Sequence, residues 1–178
     1  MTEQKKLLGA KRREMLLHTL QTSSTPITGS DLAKKANVSR QVIVGDISLL
    51  KAKQQPIIAT SQGYMYLQEA ASTNQMEREI ACYHQPHETE EELNLLVDHG
   101  VMVKDVTVEH PVYGDLTASL HLSNRKEVSQ FLDKIQTYQA SYLLELTDGI
   151  HMHTIVGSSE KQLEDAIAAM DEKGFIVK

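Results

Sequence analysis

The sequence of 178 residues contains a single cysteine, Cys82, and no tryptophan. One cysteine excludes an intrachain disulfide framework and a cysteine-rich zinc site. Aromatic residues make up only 4% of the chain, which argues against an aromatic stacking platform for single-stranded nucleic acid. No apolar run approaches the ~20 residues of a membrane-spanning helix, and the first residues do not resemble a secretion signal. We therefore expect a cytoplasmic protein built from two small domains.

The charged residues are distributed unevenly along the chain. Residues 1–70 carry ten basic and five acidic side chains, a net charge of +5, whereas residues 71–178 carry eight and nineteen, a net charge of −11. A basic region is typical of a domain that contacts a polyanion such as DNA, although uneven solvated surfaces are the alternative. The small, polar stretch 68–74 predicts a linker, so the predicted domains are residues 1–70 and 71–178.

The first domain has the pattern of a helix-turn-helix. Apolar spacing predicts a helix over residues 4–21, with a basic cluster at 11–13, then a short helix opened by Thr28 or Ser30. Asn37 tolerates the left-handed conformation of a tight turn, and Ser39 is expected to cap a third helix over about 40–53. Two helices joined by such a turn are typical of a DNA reader.

Residues 57–67, after Pro56, predict two short strands with Gly63 in their turn, the wing of a winged helix-turn-helix. A plain three-helix unit for protein contact is the alternative. The outward side of the third helix could contact base edges and phosphates, and Gly45 on that side costs about 1 kcal/mol relative to Ala. The candidate DNA-binding residues are Ser39, Arg40, Gln41, Val44, Ser48 and Lys51.

The second domain alternates short strands and amphipathic helices. Strands are predicted over residues 80–84, 101–108, 116–122, 150–156 and 175–177, and helices over 90–98, 125–138 and 160–173, the last closed by Gly174. The short connection between the second and third strands implies an antiparallel pair. These elements predict an α+β sandwich, and the whole chain a mixed α/β protein.

His151 and His153 are separated by one residue in a predicted strand, so their imidazoles point to the same face. Two neighbouring imidazoles are half of a transition-metal site, or an exposed pair on a solvated strand. His84 and Glu92 could complete a shell of three histidines and one glutamate. Spacing leaves two alternatives open: His87 competes with His84, and Glu92 completes a capping-box pattern with Thr89.

Three further positions are singled out by residue type. His110 and Tyr113 flank Pro111 and Val112 in a predicted turn, where they could line a small polar pocket or serve only the turn. Cys82 is expected to be a small buried residue rather than a ligand.

Several segments resemble a known family. Residues 29–33 and 38–47 resemble the helix-turn-helix of the nicotinate-responsive repressors of NAD biosynthesis from Gram-positive bacteria. Residues 105–114 and 146–154, with His84 and the run 89–93, resemble the three-histidine (3H) domain of the same family. Gly45 departs from the family pattern, in which a larger polar residue is usual.

The resemblance implies a homodimeric repressor, not an enzyme, that binds operator DNA with nicotinic acid as co-repressor and controls NAD biosynthesis or niacin uptake genes. It implies a regulatory domain similar in topology to the phosphocarrier HPr. It also implies a divalent transition metal, nickel or zinc, bound by His84, Glu92, His151 and His153, with His110 and Tyr113 contacting the effector. A metal-responsive regulator and a metal-dependent hydrolase are the alternative functions.

Overall fold

The computed structural model describes residues 8–67 and 75–178. The chain divides into two compact units, residues 1–71 and 72–178. The predicted linker at 68–74 lies outside the described residues. None of the helices within the two described ranges is long and apolar enough to cross a membrane.

The first unit contains three helices followed by a hairpin of two antiparallel strands. Its elements are α1 (Gly9–Gln21), α2 (Gly29–Ala36), α3 (Arg40–Ala52), β1 (Ile57–Thr60) and β2 (Gly63–Tyr66). The core between the helices and the hairpin is aliphatic, and it includes Leu16, Leu32, Ile43, Ile47 and Ile57. This arrangement confirms the predicted helix-turn-helix and places a hairpin where the wing was expected.

Local sequence explains the turn between α2 and α3. The Thr28 hydroxyl accepts a hydrogen bond from the Asp31 N–H at 3.1 Å and caps α2. Asn37 ends that helix in the left-handed region with φ of 50°, as predicted. Ser39 occupies the N-cap position of α3, but its side chain makes no capping hydrogen bond. The expectation of a side-chain cap from Ser39 was therefore wrong.

Gly63 begins β2 and lies after the turn rather than within it. Ile27 exchanges backbone hydrogen bonds of 2.8 and 2.9 Å with Tyr64, so the chain before α2 passes very close to this strand. A Cβ on Gly63 would lie 2.5 Å from the Ile27 carbonyl oxygen, and φ is +140° there. Glycine is required at this position by the close approach of two backbones.

The second unit is built on a four-stranded antiparallel sheet in the order β3-β6-β4-β5. Its elements are β3 (Met76–Tyr83), α4 (Thr89–Asp98), β4 (Met102–His110), β5 (Gly114–Leu122), α5 (Arg125–Tyr138), β6 (Ile150–Gly157) and α6 (Glu160–Lys173). Short 3₁₀ turns occupy Pro86–Glu88 and Leu143–Thr147. The predicted α+β class is confirmed. The predicted strand at 175–177 is reduced to one bridge, between Ile176 and Cys82.

One face of this sheet is buried and the other is exposed along β3 and β6. Side chains alternate between faces along a strand, and the two strands pair Cys82 with His151 and Tyr83 with Ile150. Cys82 and His151 are buried, whereas Tyr83 and Ile150 are 48% and 55% exposed. The buried face and the helices share one core, which includes Ile80, Leu93, Leu96, Val128, Ile155 and Leu163.

Candidate functional site

The structure brings the four predicted metal-binding side chains together under the sheet. The Glu92 carboxylate lies 2.7 Å from His84 Nε2, 3.1 Å from His151 Nε2 and 3.3 Å from His153 Nε2. Each of the four side chains belongs to a residue that is at most 3% exposed. His87, the competing histidine, is exposed, so the structure selects His84.

Three separate segments contribute to this cluster. His84 follows β3, Glu92 lies in the first turn of α4, and His151 and His153 lie on β6. The pairing of β3 with β6 places the end of β3, which leads to His84, next to His151 and His153. The position of α4 brings the Glu92 carboxylate into contact with all three rings. Glu92 does not act as a capping residue, because the capping box at this point is formed by Gln85 and Glu88.

A backbone carbonyl oxygen fixes the orientation of each of the three imidazole rings. The Nδ1 atoms of His84, His151 and His153 lie 2.9, 3.0 and 2.7 Å from the carbonyl oxygens of Gln85, Gly149 and Asp105, respectively. A carbonyl oxygen only accepts, so each Nδ1 carries the hydrogen. A neutral ring then directs the Nε2 lone pair at Glu92, which is the arrangement of metal-binding histidines.

The Nε2 atoms of the three imidazoles all contact the Glu92 carboxylate, those of His84 and His153 at Oε2 and that of His151 at Oε1. With the hydrogens on Nδ1, all of these groups are acceptors. His84 Nε2 is close to Glu92, but the direction of the contact gives this buried nitrogen no hydrogen bond. Such a set requires positive charge at its centre, either protons on the rings or a cation. Three imidazole nitrogens and a carboxylate oxygen suit a divalent transition metal, so the residues present fit the predicted ion.

The electrostatics of the cluster show the same demand for positive charge. Burial acts to raise the pKa of the Glu92 carboxyl, but the charge of His153 and the close contacts of the three rings hold that pKa well below its usual range. Burial acts to lower the pKa of His84 and of His153, yet Glu92 outweighs it and raises both. The carboxylate therefore remains charged inside the unit.

A cavity of about 170 Å³ adjoins the cluster. Glu92, His151 and His153 form part of its lining, together with the polar side chains of Thr89 and Tyr142. The Thr89 hydroxyl is buried and makes no hydrogen bond. The rest of the lining is mostly apolar and includes Val106, Ala118, Leu120, Phe131, Ile135 and Leu144. The cavity thus has an apolar wall and one polar, charged end.

His110 and Tyr113 do not reach this cavity. His110 Nδ1 accepts the backbone N–H groups of Val112 and Tyr113 at 3.1 and 3.3 Å, so the ring holds the turn between β4 and β5. Tyr113 is 75% exposed. Within one chain the cavity is lined instead by residues that sequence analysis did not single out, notably Phe131 and Tyr142. No sequence motif marks them, because each belongs to a different element.

The outward side of α3 presents most of the predicted DNA-binding residues. Ser39, Arg40, Gln41, Ser48 and Lys51 are exposed, and Val44 is half-buried. The Ser48 hydroxyl donates to the Val44 carbonyl oxygen at 2.9 Å.

Asp46, on the opposite side of α3, forms ion pairs with α1 that the sequence analysis did not predict. It is 3% exposed, and its carboxylate lies 2.5 Å from Arg12 Nε and 3.2 Å from an Arg13 guanidinium nitrogen. Two members of the basic cluster on α1 are therefore paired with α3 and hold the two helices together.

Each of the two units matches a known protein family. Residues 77–178 match the 3H domain family, and residues 12–65 match a family of HTH domains. The chain is 59% identical over 179 residues to "Transcription repressor NadR" of Bacillus subtilis, covering 100% of this chain and 99% of that protein. It is 35% identical over 173 residues to "Probable transcription repressor NiaR" of Thermotoga maritima, covering 97% of each.

Both relatives are named as repressors rather than as enzymes. The matches extend over nearly the whole chain and include the helix-turn-helix and the unit that holds the histidine cluster. The chain therefore belongs to the 3H-domain family of transcription repressors, which read DNA through an N-terminal helix-turn-helix.

Proposed function

We propose that this repressor binds operator DNA as a homodimer, with nicotinic acid as co-repressor, and controls genes of NAD biosynthesis or niacin uptake. We also propose that His84, Glu92, His151 and His153 hold a divalent transition metal, nickel or zinc. One observation carries the proposal: a buried set of converging acceptors lies at the end of a small cavity, in a repressor that has no other buried cluster of this kind among residues 8–67 and 75–178.

The arrangement of the side chains supports a resident ion. When bound, a divalent metal supplies positive charge and an open coordination position. The carbonyl groups of Gln85, Gly149 and Asp105 keep the three rings in the required tautomer. Loss of such outer contacts typically lowers metal affinity by about 10–100-fold.

The cavity suits a small aromatic acid. Its volume of about 170 Å³ is below the roughly 300–1,000 Å³ of pockets that take drug-sized ligands, which fits a single ring. A pyridine ring would pack on the apolar wall, and its carboxylate would accept a hydrogen bond from the buried Thr89 hydroxyl. Glu92 repels a carboxylate at this end, so we expect nicotinate to bind only when a cation offsets that charge.

The first unit supplies the DNA-binding surface. Residues 1–70 carry a net charge of +5, and the N-terminal end of α3 exposes Arg40 and Gln41. These side chains can donate hydrogen bonds to base edges in the major groove, and Lys51 can contact a phosphate.

A second copy of the chain suits the exposed sheet face of the regulatory unit. Tyr83, Ile150 and Met152 are 48%, 55% and 37% exposed there, on neighbouring strands. Helix-turn-helix repressors bind two half-sites through a two-fold dimer. An effector raises DNA affinity only by its difference in affinity between the DNA-competent and incompetent states of that dimer.

Calorimetric titration of nicotinate into the full-length protein, metal-stripped or loaded with Ni²⁺, tests the proposal. We expect measurable affinity only in the loaded protein. Ala118→Leu, which fills part of the cavity, should lower that affinity more than tenfold and leave Ni²⁺ binding unchanged. Ala168→Leu on the exposed side of α6 is the control for added bulk. Equal nicotinate binding by loaded, stripped and Ala118→Leu proteins would refute the cavity as the effector site.

The buried cluster also favours a second candidate, a regulator that responds to the ion itself. DNA affinity would then rise with Ni²⁺ alone and would not change when nicotinate is added. Measuring DNA binding with each compound separately distinguishes the two functions.

A further inference from the structure

We propose that Cys82 is a fifth donor of the metal site, so that the ion is bound by three imidazoles, one carboxylate and one thiolate. This inference rests on the proposed metal at His84, Glu92, His151 and His153. Sequence analysis treated Cys82 as a small buried residue, and its burial is confirmed at 0% exposure. The structure adds that Sγ of Cys82 lies close to donor atoms of two members of that cluster, Glu92 and His151.

Strand geometry puts Cys82 beside the histidines. It precedes His84 by two residues, and it lies directly opposite His151 in the pairing of β3 with β6. Directly opposed residues of an antiparallel pair have their Cβ atoms about 4.5–5.5 Å apart on the same face. The thiol is therefore directed under α4, toward the side of the sheet that carries the three rings.

The distances agree with a shared ion. Sγ of Cys82, a carboxylate oxygen of Glu92 and a ring nitrogen of His151 all lie within 4.8 Å of one another. With metal–nitrogen and metal–sulfur bonds of about 2.1 and 2.3 Å, donors on opposite sides of an ion lie up to about 4.4 Å apart. Three donors spaced evenly around one ion lie about 3.8 Å apart, so these side chains need to close in by up to about 1 Å to share it.

A second observation in the same cluster points to a ligand. His84 Nε2 is directed into it, belongs to a residue that is only 3% exposed, and makes no hydrogen bond. An apolar side chain at position 82 would pack in the core equally well, but the Glu92 carboxylate would then be the single anion among these side chains. A divalent ion with Glu92 alone retains a net charge of +1 in a buried site, which is costly. With a thiolate at Cys82, the net charge of the ion and its ligands is zero.

The binding step is a simple exchange of a proton for a metal. The S–H bond of Cys82 breaks and its proton leaves to the solvent, while the sulfur electron pair forms the metal–sulfur bond. No oxidant or reductant is involved. A thiolate donor shifts the preference of the site toward softer ions, so Cd²⁺ should compete better against Ni²⁺ than it would at a site of nitrogen and oxygen donors alone.

Cobalt substitution of the full-length, metal-stripped protein tests this proposal by absorption spectroscopy. Bound Co²⁺ gives visible d–d bands whatever its donors, whereas a thiolate donor adds an intense charge-transfer band in the near ultraviolet. Cys82 is the chain's only cysteine, so such a band in the unmodified protein identifies it without any variant. We expect one charge-transfer band per bound ion. Cys82→Ser should abolish that band, keep the d–d bands and reduce competition by Cd²⁺ at least tenfold. Met170→Leu, which removes a buried sulfur from the same core, should change neither.

The outcomes separate the two proposals. Stoichiometric d–d bands without a charge-transfer band would overturn the role of Cys82 and leave the four-residue metal site standing. The absence of any stoichiometric Co²⁺ or Ni²⁺ binding would overturn the metal site and, with it, the fifth donor.

Discussion

The outward side of α3 and the histidine cluster are built in opposite ways. The side chains of α3 come from one continuous helix, and Arg40, Gln41 and Lys51 are exposed. The cluster joins three segments that are up to 69 residues apart in sequence, from His84 to His153, and all of it is buried. The helix surface is organised by local sequence, whereas the cluster exists only when the sheet is paired.

This difference predicts how each region responds to substitution. Removing an exposed contact on α3 costs only that contact, because water replaces it. Removing one member of the buried cluster leaves its partners with unpaired charge or lone pairs. Substitutions in the cluster should therefore have larger effects than substitutions on the helix surface.

The largest effect is expected from Glu92→Gln. Loss of the carboxylate removes the anion shared by three imidazoles, so Ni²⁺ affinity should fall by more than the ~100-fold that loss of an outer contact costs. Calorimetric titration of the stripped protein measures it. Glu91→Gln is the matched control, because Glu91 is exposed and pairs with Lys173 at the surface. Similar Ni²⁺ affinity in the two variants would contradict the assigned cluster.

A smaller effect is expected from Asp46→Asn, which weakens the ionic contact between α1 and α3. A fully buried pair broken on one side costs about 3–5 kcal/mol, and the partial exposure of Arg13 reduces this, so we expect about 2 kcal/mol. Denaturant unfolding of the full chain, followed by helical circular dichroism, gives the change in free energy. Glu14→Gln on the exposed side of α1 should change it by less than about 0.5 kcal/mol; an equal effect of both variants would argue against a structural role for Asp46.

A third prediction concerns Arg40→Ala and Lys51→Gln on the exposed helix surface. Loss of a base contact by Arg40 should cost about 1–3 kcal/mol of specific binding, and loss of a phosphate contact by Lys51 should lower the salt dependence by about one ion. DNA selected from a random pool by the protein itself serves as the probe, in anisotropy titrations at several salt concentrations. Lys161→Gln, on α6 of the second unit, should change neither quantity. Unaltered specificity in Arg40→Ala would remove this arginine from base recognition.

The smallest effect is expected from Gly45→Ala. A Cβ at this position would meet no atom within 4 Å, so the gain in helix propensity should raise the free energy of unfolding by up to about 1 kcal/mol. Gly174→Ala is the control with the opposite expected sign. A Cβ there would also meet no atom within 4 Å, but φ is +79°, so the substitution should lower the free energy of unfolding. Thermal unfolding compares the two. A loss of DNA affinity in Gly45→Ala would show that the DNA backbone approaches the helix closely at this glycine.

Much of the fold could be predicted because its signals are local. The bounds of α5 and α6 agree with those predicted, since apolar stripes recur at helical spacing and side chains of Asn124 and Ser159 cap the two helices. Gly174 ends α6 in the left-handed conformation, as expected. The alternation of His151 and His153 likewise placed both rings on one face.

The rest of the site depends on contacts that are distant in sequence. The pattern formed by Thr89 and Glu92 fits a cap as well as a ligand, and only the position of α4 over the sheet decides between them. The cavity next to Glu92 and the contact of Asp46 with Arg12 also form only in the folded units. For His110 the sequence left a pocket and a turn as alternatives, and only the folded hairpin shows that its ring accepts hydrogen bonds within the turn.

Titration of selected DNA with full-length protein is the most direct test of the proposed control of the exposed helix by the buried cluster. Anisotropy would be measured for Ni²⁺-loaded and metal-stripped protein, each with and without nicotinate. We expect tighter DNA binding only when metal and nicotinate are both present, and no such gain in Glu92→Gln. Equal DNA affinity under all four conditions would contradict it.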